Sequence, residues 1–238
     1  LPAPQDDCLI LGASLNSRNL QAQQVFCAMQ GSATHGIEFL SEAIQRGAAA
    51  VISDQPIPKH FSIPSFIVDN VPHALQTWAS EYRKSCKNTT FIAITGSYGK
   101  TTTKQMLSSI CQQHAPTYAT RGNQNNQLGL PLTIINTQKH HRFSIVECAS
   151  NQPGEIAMLT QWLQPNISII TNTGAQHLEG FGSQEAIIQE KSAIFSTMTP
   201  NTGLAIYPQD DPGTKHWQTL DLHKRTFSVE SSADFLAR

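Results

Sequence analysis

Phe91-Ile92-Ala93-Ile94-Thr95-Gly96-Ser97-Tyr98-Gly99-Lys100-Thr101-Thr102-Thr103-Lys104-Gln105-Met106-Leu107 is the stretch that decides the fold. A short apolar run, 91–95, reads as a strand. The glycine-bearing turn 96–99 follows, then Lys100, Thr101 and Thr102 at the head of a helical segment. Strand, glycine turn, Lys-Thr, helix is the order a phosphate-binding loop requires. Glycines let backbone N–H groups converge on an anion, and the helix N-terminus adds its positive dipole end. Gly96, Ser97, Gly99, Lys100, Thr101 and Thr102 are therefore expected to hold a nucleotide phosphate. Lys100 is the mobile cation, and the Thr101 hydroxyl is a ligand for Mg²⁺. The common spacing would need glycine at position 94, which is Ile94. The assignment thus rests on the flanking elements, against the alternative of an ordinary strand-to-helix turn.

Outward from this stretch, elements alternate. On the N-terminal side, strands are expected at 8–12, 24–29, 48–53 and 65–68, with helices at 39–47 and 71–82. A polar break, Lys84-Ser85-Cys86-Lys87-Asn88-Thr89-Thr90, sets an expected boundary between a domain at 1–87 and one at 88–238. On the C-terminal side, strands are expected at 117–119, 143–147, 167–171 and 203–207. Helices are expected at 100–113, 154–163 and 183–198, the last with Ser183 as N-cap. The fold class is α/β: a small α/β domain, then a P-loop core with a mainly parallel sheet flanked by helices. Ligands bind such sheets at the carboxyl ends of the strands. Glu147, ending one strand, is a candidate Mg²⁺ carboxylate there. The glycine-rich segment after 167–171 carries His177, a metal or phosphate contact if it is not simply a surface residue. Asn125 and Asn126 could meet phosphate, although loops are rich in Asn. Lys191, on spacing alone, is an ordinary helical lysine.

With 238 residues, 39% hydrophobic and 14% charged, the chain can bury a core. A net charge of −1 provides no basic field for nucleic acid or an anionic membrane surface. The five cysteines form no CxxC pair, which argues against a disulfide framework or cysteine zinc site and suits the cytoplasm. No apolar run is long enough to span a membrane. The chain opens without Met, from which a trimmed N-terminus is expected.

Four stretches together resemble the ATP-dependent Mur ligases of peptidoglycan synthesis: ITGSYGKTTTKQM (94–106), GNQNNQLGLPLTII (122–135), NQPGEIAMLT (151–160) and ITNTGAQHLEGFGSQEAIIQEKSAIF (170–195). The segment 16–53 is similar to the family's UDP-binding domain. The resemblance is nearest the branch that adds D-alanyl-D-alanine to a UDP-MurNAc-tripeptide. It implies ATP and Mg²⁺, with Thr101, Glu147, His177 and a carbamylated Lys191 around the metals and Lys100, Lys191 and His177 in catalysis. One of Asn125 and Asn126 would meet the γ-phosphate region, and Ser17 and Arg18 the UDP substrate. An acyl phosphate on the tripeptide carboxylate, attacked by the amine of D-alanyl-D-alanine, is the implied chemistry, in a cytoplasmic monomer. Alternatives are a Mur-type ligase for another amino acid and a non-catalytic nucleotide-binding module. Asn16 stands where the family usually has Asp, Ile37 where it has His, and Pro208 where it has Asn. The family's C-terminal domain is absent from these residues, so a fragment inactive by itself is expected.

Overall fold

The computed structural model describes residues 9–175, 181–200 and 203–236. The chain divides into two compact units, Leu1–Trp78 and Ala79–Arg238. The division falls inside a helix. The polar stretch expected to mark the boundary at 87 is the end of that helix and the lead-in to the next strand.

The first unit holds a four-stranded parallel sheet in chain order: β1 (Ala13–Ser14), β2 (Val25–Ala28), β3 (Ala50–Ser53) and β4 (Ser65–Ile67). Every residue of β2 is buried, as an interior parallel strand should be. Helix α1 (Leu40–Gln45) lays Leu40 and Ala43 against Leu20, Phe26 and Val51, which form the core of this unit. The strand expected at 8–12 is displaced. Gly12 has φ +141, and sheet pairing starts only after it, at Ala13–Val25. The apolar residues Leu9, Ile10 and Leu11 are exposed.

Helix α2 (Val71–Ser85) leads into the second unit. Its strands are β5 (Thr90–Thr95), β6 (Thr117–Ala119), β7 (Phe143–Glu147), β8 (Ile167–Ile170), β9 (Leu204–Pro208), β10 (His223–Ser228) and β11 (Phe235–Leu236). They form one seven-stranded sheet in the order β11-β10-β9-β8-β5-β7-β6, parallel throughout. The helices are α3 (Lys100–Gln112), α4 (Gly129–Ile135), α5 (Glu155–Leu163), α6 (Gln184–Ser192) and the short α7 (Thr214–Trp217). β5 lies between β7 and β8, so the winding reverses beside it. Its carboxyl end is therefore the switch point at which such sheets take ligands.

Further segments differ from the expectations above, among them α4, α6 and β10. Helix α4 was not foreseen, because Gly-Leu-Pro-Leu-Thr-Ile-Ile carries a proline and β-branched residues. All seven of its residues are buried, so packing outweighs propensity, and Pro131 lies in the first turn where its missing N–H costs nothing. Helix α6 ends at Ser192 and continues as a 3-10 turn, Ala193–Phe195, short of the expected 198. Strand β10, His-Lys-Arg-Thr-Phe-Ser, is too polar to announce itself.

Arg83, near the end of α2, ties the corner between α5 and β8. Its Nε donates to Leu163 O at 2.7 Å and its Nη2 to Gln164 O at 2.7 Å. The guanidinium stacks 4.1 Å from the Phe91 ring centroid. Arg83→Ala strands the half-buried Leu163 carbonyl, gives up the exposed bond to Gln164 O and uncovers Phe91. Urea unfolding is expected to show a loss of about 2–3 kcal/mol.

Candidate active site

The loop between β5 and α3 is shaped by two glycines. Gly96 has φ +143, and a Cβ there would lie 2.0 Å from Thr171 Oγ1; Gly99 has φ +79 and is the N-cap of α3. The segment after β8 holds the loop from outside. Ser97 N donates to Asn172 O at 2.9 Å, and Ser97 Oγ to Gly174 O at 2.6 Å. Thr171 Oγ1 and Asn172 Nδ2 both donate to Tyr98 O, at 2.6 and 3.0 Å. Asp211, after β9, anchors that outer segment by accepting from Thr173 N at 2.7 Å and from Gly213 N at 2.8 Å. The loop conformation is thus fixed from both sides, which is what a preorganised anion cradle requires.

Lys100 folds back over this loop. Its Nζ donates to Gly96 O at 2.6 Å and Ser97 O at 3.0 Å. Burial lowers its pKa, partly offset by the charge of Glu147. Thr101 and Thr102 are exposed on the first turn of α3. The Thr101 hydroxyl lies 3.2 and 3.1 Å from the two carboxylate oxygens of Glu147.

Glu147 ends β7 and is 2% exposed. Asn125 Nδ2 donates to its Oε1 at 2.9 Å, and Lys104 Nζ lies 3.0 Å from its Oε2. Burial pushes the Glu147 pKa up, but the Asn125, Lys104 and Thr101 contacts outweigh it and the net shift is downward. The carboxylate therefore stays ionised where it meets Thr101. Asn125 and Asn126 take different tasks: Asn126 Oδ1 accepts from Leu128 N and Gly129 N at the start of α4.

Lys191 is 3% exposed and donates to Ser150 Oγ at 2.8 Å, over the ring of Phe181 at 5.7 Å. Burial first, then the charge of Lys100, push its pKa from 10.5 down to about 8. Its neighbour Glu190 has a separate task, accepting from Gly154 N at 2.6 Å and Ile156 N at 2.8 Å at the positive end of α5. His177 lies outside the described residues. Ser17 and Arg18 belong to the first unit. Ser17 Oγ donates to Glu42 Oε2 at 2.7 Å, and both residues line a hollow of about 270 Å³ with Asn16 and Phe39.

The sequence did not single out Lys104 or Ser150 as parts of this site, and Asp211 reads there as a turn residue in preference to a nucleotide contact. Lys104 alone had a signal, since it lies one helical turn after Lys100 and so shares its face. A cleft of about 440 Å³ opens beside the loop anchor, lined by Asn172, Pro208, Asp211, Phe227 and Val229 among others. Among the described residues no three His, Cys, Asp or Glu side chains gather as a metal cage. A hard cation here would have two protein oxygen donors, from Thr101 and Glu147, and need the rest from phosphate and water. That is how Mg²⁺ is commonly held beside nucleotides, so the residues fit it.

The Lys191 pKa sets a stability signature. Below pH 8 both the folded and the unfolded chain carry the ammonium, and folding bears the whole cost of burying it. Between about 8 and 10.5 the folded state gives up the proton first, so stability rises with pH across that window. Lys191→Met removes the cost at every pH. In degassed buffer at pH 7 the variant is expected to be more stable by on the order of 2 kcal/mol, and the gap to close as the pH approaches 10. Urea unfolding at stepped pH reads both; a gap that does not close contradicts it.

Residues 94–238 match the family description "Mur ligase middle domain". The chain is 37% identical over 225 residues to a UDP-N-acetylmuramoyl-tripeptide--D-alanyl-D-alanine ligase of Buchnera aphidicola subsp. Baizongia pistaciae, covering 93% of this chain and 48% of the relative. With the enzyme of that name from Haemophilus influenzae it shares 34% identity, over 85% of this chain and 45% of the relative. Among solved structures, MurF of Acinetobacter baumannii superposes with a TM-score of 0.81 at 32% identity, over 97% of this chain and 50% of that one. MurF of Thermotoga maritima in complex with ADP gives 0.78 at 31%, over 97% and 53%. The chain spans about half the length of the curated relatives it matches. No described helix is long and apolar enough to cross a membrane. A strand, a tight glycine loop, a Lys-Thr helix start and a buried carboxylate facing that Thr are here joined to a middle-domain match over 94–238, and on these grounds the chain belongs to the Mur ligase family.

Proposed function

We propose that the chain carries the nucleotide-binding and carboxylate-activating part of a ligase that joins D-alanyl-D-alanine to a UDP-MurNAc-tripeptide at the expense of ATP. The observation that carries this reading is the contact of Thr101 with the ionised, buried Glu147 at the head of the phosphate loop. The names of the relatives supply the substrates. The ADP complex of the Thermotoga maritima protein supports ATP as the nucleotide.

In this reading the loop amides and the α3 N-terminus take the ATP phosphates. The Lys100 ammonium turns from the loop carbonyls to the transferring phosphate. Thr101 and Glu147 would hold Mg²⁺, which neutralises charge between phosphate oxygens when bound. The tripeptide carboxylate oxygen attacks the γ-phosphorus and ADP departs, leaving an acyl phosphate. The free amine of D-alanyl-D-alanine then attacks the acyl carbon. The tetrahedral adduct expels phosphate and loses the amine proton, which yields the amide. Lys100 offsets developing negative charge in both transfers. The Phe227 and Val229 walls of the 440 Å³ cleft suit a stacked base. The Arg18 guanidinium suits the diphosphate of the UDP substrate. Part of the Lys191 population is neutral amine near pH 8, the form that adds CO₂ to give a carbamate and a proton. His177 completes the expected catalytic set. The chain is read as the UDP-binding domain, 1–87, and the ATP-binding domain, 88–238, of a cytoplasmic monomer whose activity also needs the family's C-terminal domain.

The test is ATP-dependent phosphate release by the full-length protein with the UDP-tripeptide and either D-alanyl-D-alanine or single amino acids. D-alanyl-D-alanine is expected to give the higher turnover. Equal or better turnover with a diamino acid would assign a different Mur-type ligase, and nucleotide binding without turnover in any mixture a binding module. Labelled bicarbonate, followed by carbon NMR, reads the carbamate on Lys191.

A further inference from the structure

Glu147 is shared. Thr101 reaches both of its oxygens, Asn125 donates to Oε1, and Lys104 Nζ lies 3.0 Å from Oε2. The Lys104 and Glu147 side chains are only 6% and 3% exposed. Lys104 Nζ also donates to Gly122 O at 3.3 Å, so the ammonium is held from two directions. Lys100, one turn earlier on α3, adds a second positive charge that Glu147 feels. Two ammonium groups facing one carboxylate leave this corner net positive before any ligand arrives. Coulomb interactions between buried charges are strong and poorly screened by salt.

We propose that Lys104 is a positioning residue that acts as a built-in counter-cation. It keeps Glu147 aimed at Thr101, and it opposes the entry of a bare divalent ion, which is admitted only with the polyphosphate of the nucleotide. The proposal rests on the nucleotide-site reading above. A free divalent ion would have to share Glu147 with an ammonium already in contact with it. A polyphosphate brings more negative charge than the corner carries positive, and so reverses the balance. Lys104 has somewhere to go. With the hydroxyl and amide side chains of Thr101, Gln105, Ser108 and Thr120 it lines a recess of about 330 Å³, which gives the ammonium room to move off Glu147. A purely structural ion pair would stabilise the fold without setting how the ion and the nucleotide depend on one another.

Binding of Mn²⁺, followed by electron paramagnetic resonance with and without a non-hydrolysable ATP analogue, tests this on the protein and three variants. Wild type and Lys104→Arg are expected to hold the ion weakly alone and roughly tenfold or more tightly with the analogue. Lys104→Gln removes the charge and keeps a donor for Glu147; Lys104→Met removes both. The two neutral variants are expected to bind Mn²⁺ alone roughly tenfold or more tightly than wild type. A folded Lys104→Gln with wild-type affinity for Mn²⁺ alone overturns the proposal. So does Lys104→Arg tightening as much as Lys104→Gln. If the neutral variants do not fold, the wild-type pair decides: equal Mn²⁺ affinity with and without the analogue overturns it. Failure of wild type to bind the analogue in metal-free calorimetry strikes the nucleotide-site reading instead, and is thereby told apart.

Discussion

Lys100→Met in the full-length protein is expected to lower ATP affinity and the rate of phosphate release by roughly 10²–10³-fold while leaving the fold as stable as wild type. The two halves of that result have one cause. The Lys100 ammonium is bound by two neutral carbonyls, Gly96 O and Ser97 O, and burial lowers its pKa. Its charge is desolvated and incompletely compensated by its contacts. A methionine of similar length gives up those two hydrogen bonds and also the desolvation cost, so the net change in stability is small. The same strain is what a phosphate relieves, since the ammonium gains an anionic partner when the nucleotide arrives. Function and stability are set against one another at this residue. Lys100→Arg is no rescue, because a planar guanidinium cannot occupy the compact position between two carbonyls of one tight loop. Calorimetric titration with ATP and thermal melting check the two halves separately. Unchanged affinity would remove Lys100 from the phosphate site, and a large loss of stability would make its role structural.

What could be read in the residues was what depends on local pattern. The strands β5, β6 and β7 fall where apolar or β-branched runs are bounded by polar turns, and Ser183 caps α6 through its Oγ, as its type and position imply. The phosphate loop was legible because its mechanism requires neighbouring elements in one order. What was illegible depends on tertiary placement. Helix α4 exists because the second unit buries all seven of its residues, against the preference of Pro131 and two isoleucines. Lys104 shares the face of Lys100 by spacing, but nothing in the sequence names its partner until β7 brings Glu147 to it from far along the chain. Ser150 and Asp211 are loop residues whose partners, Lys191 and Thr173, come from other segments. Pairing between remote side chains leaves no period in a sequence, and the parts of the site that set its electrostatics are of that kind.

Gly96→Ala is expected to be the most damaging single-methyl change in the loop, with a loss of roughly 3 kcal/mol or more in urea unfolding. Two costs combine. The backbone at φ +143 disfavours any L side chain. The new Cβ would also meet Thr171 Oγ1 at 2.0 Å, with Asn172 N and O at 3.1 Å. Thr171 cannot simply rotate away, since its hydroxyl donates to Tyr98 O and Asn172 Nδ2 reaches the same oxygen. Moving it loosens the bonds that keep the loop closed, so ATP affinity should fall together with stability. Gly99→Ala separates the two costs. At φ +79 the strain is of the same kind, but nothing lies within 4 Å of the added Cβ, and a loss of only about 1 kcal/mol is expected. Thr171→Ala in the Gly96→Ala background removes the clashing oxygen. The double variant should therefore be less destabilised than the sum of the two single changes, by roughly 1 kcal/mol or more, because the residues touch. Strict additivity would mean that the backbone conformation alone, and not the close approach of β8's trailing segment, demands glycine at the head of this loop.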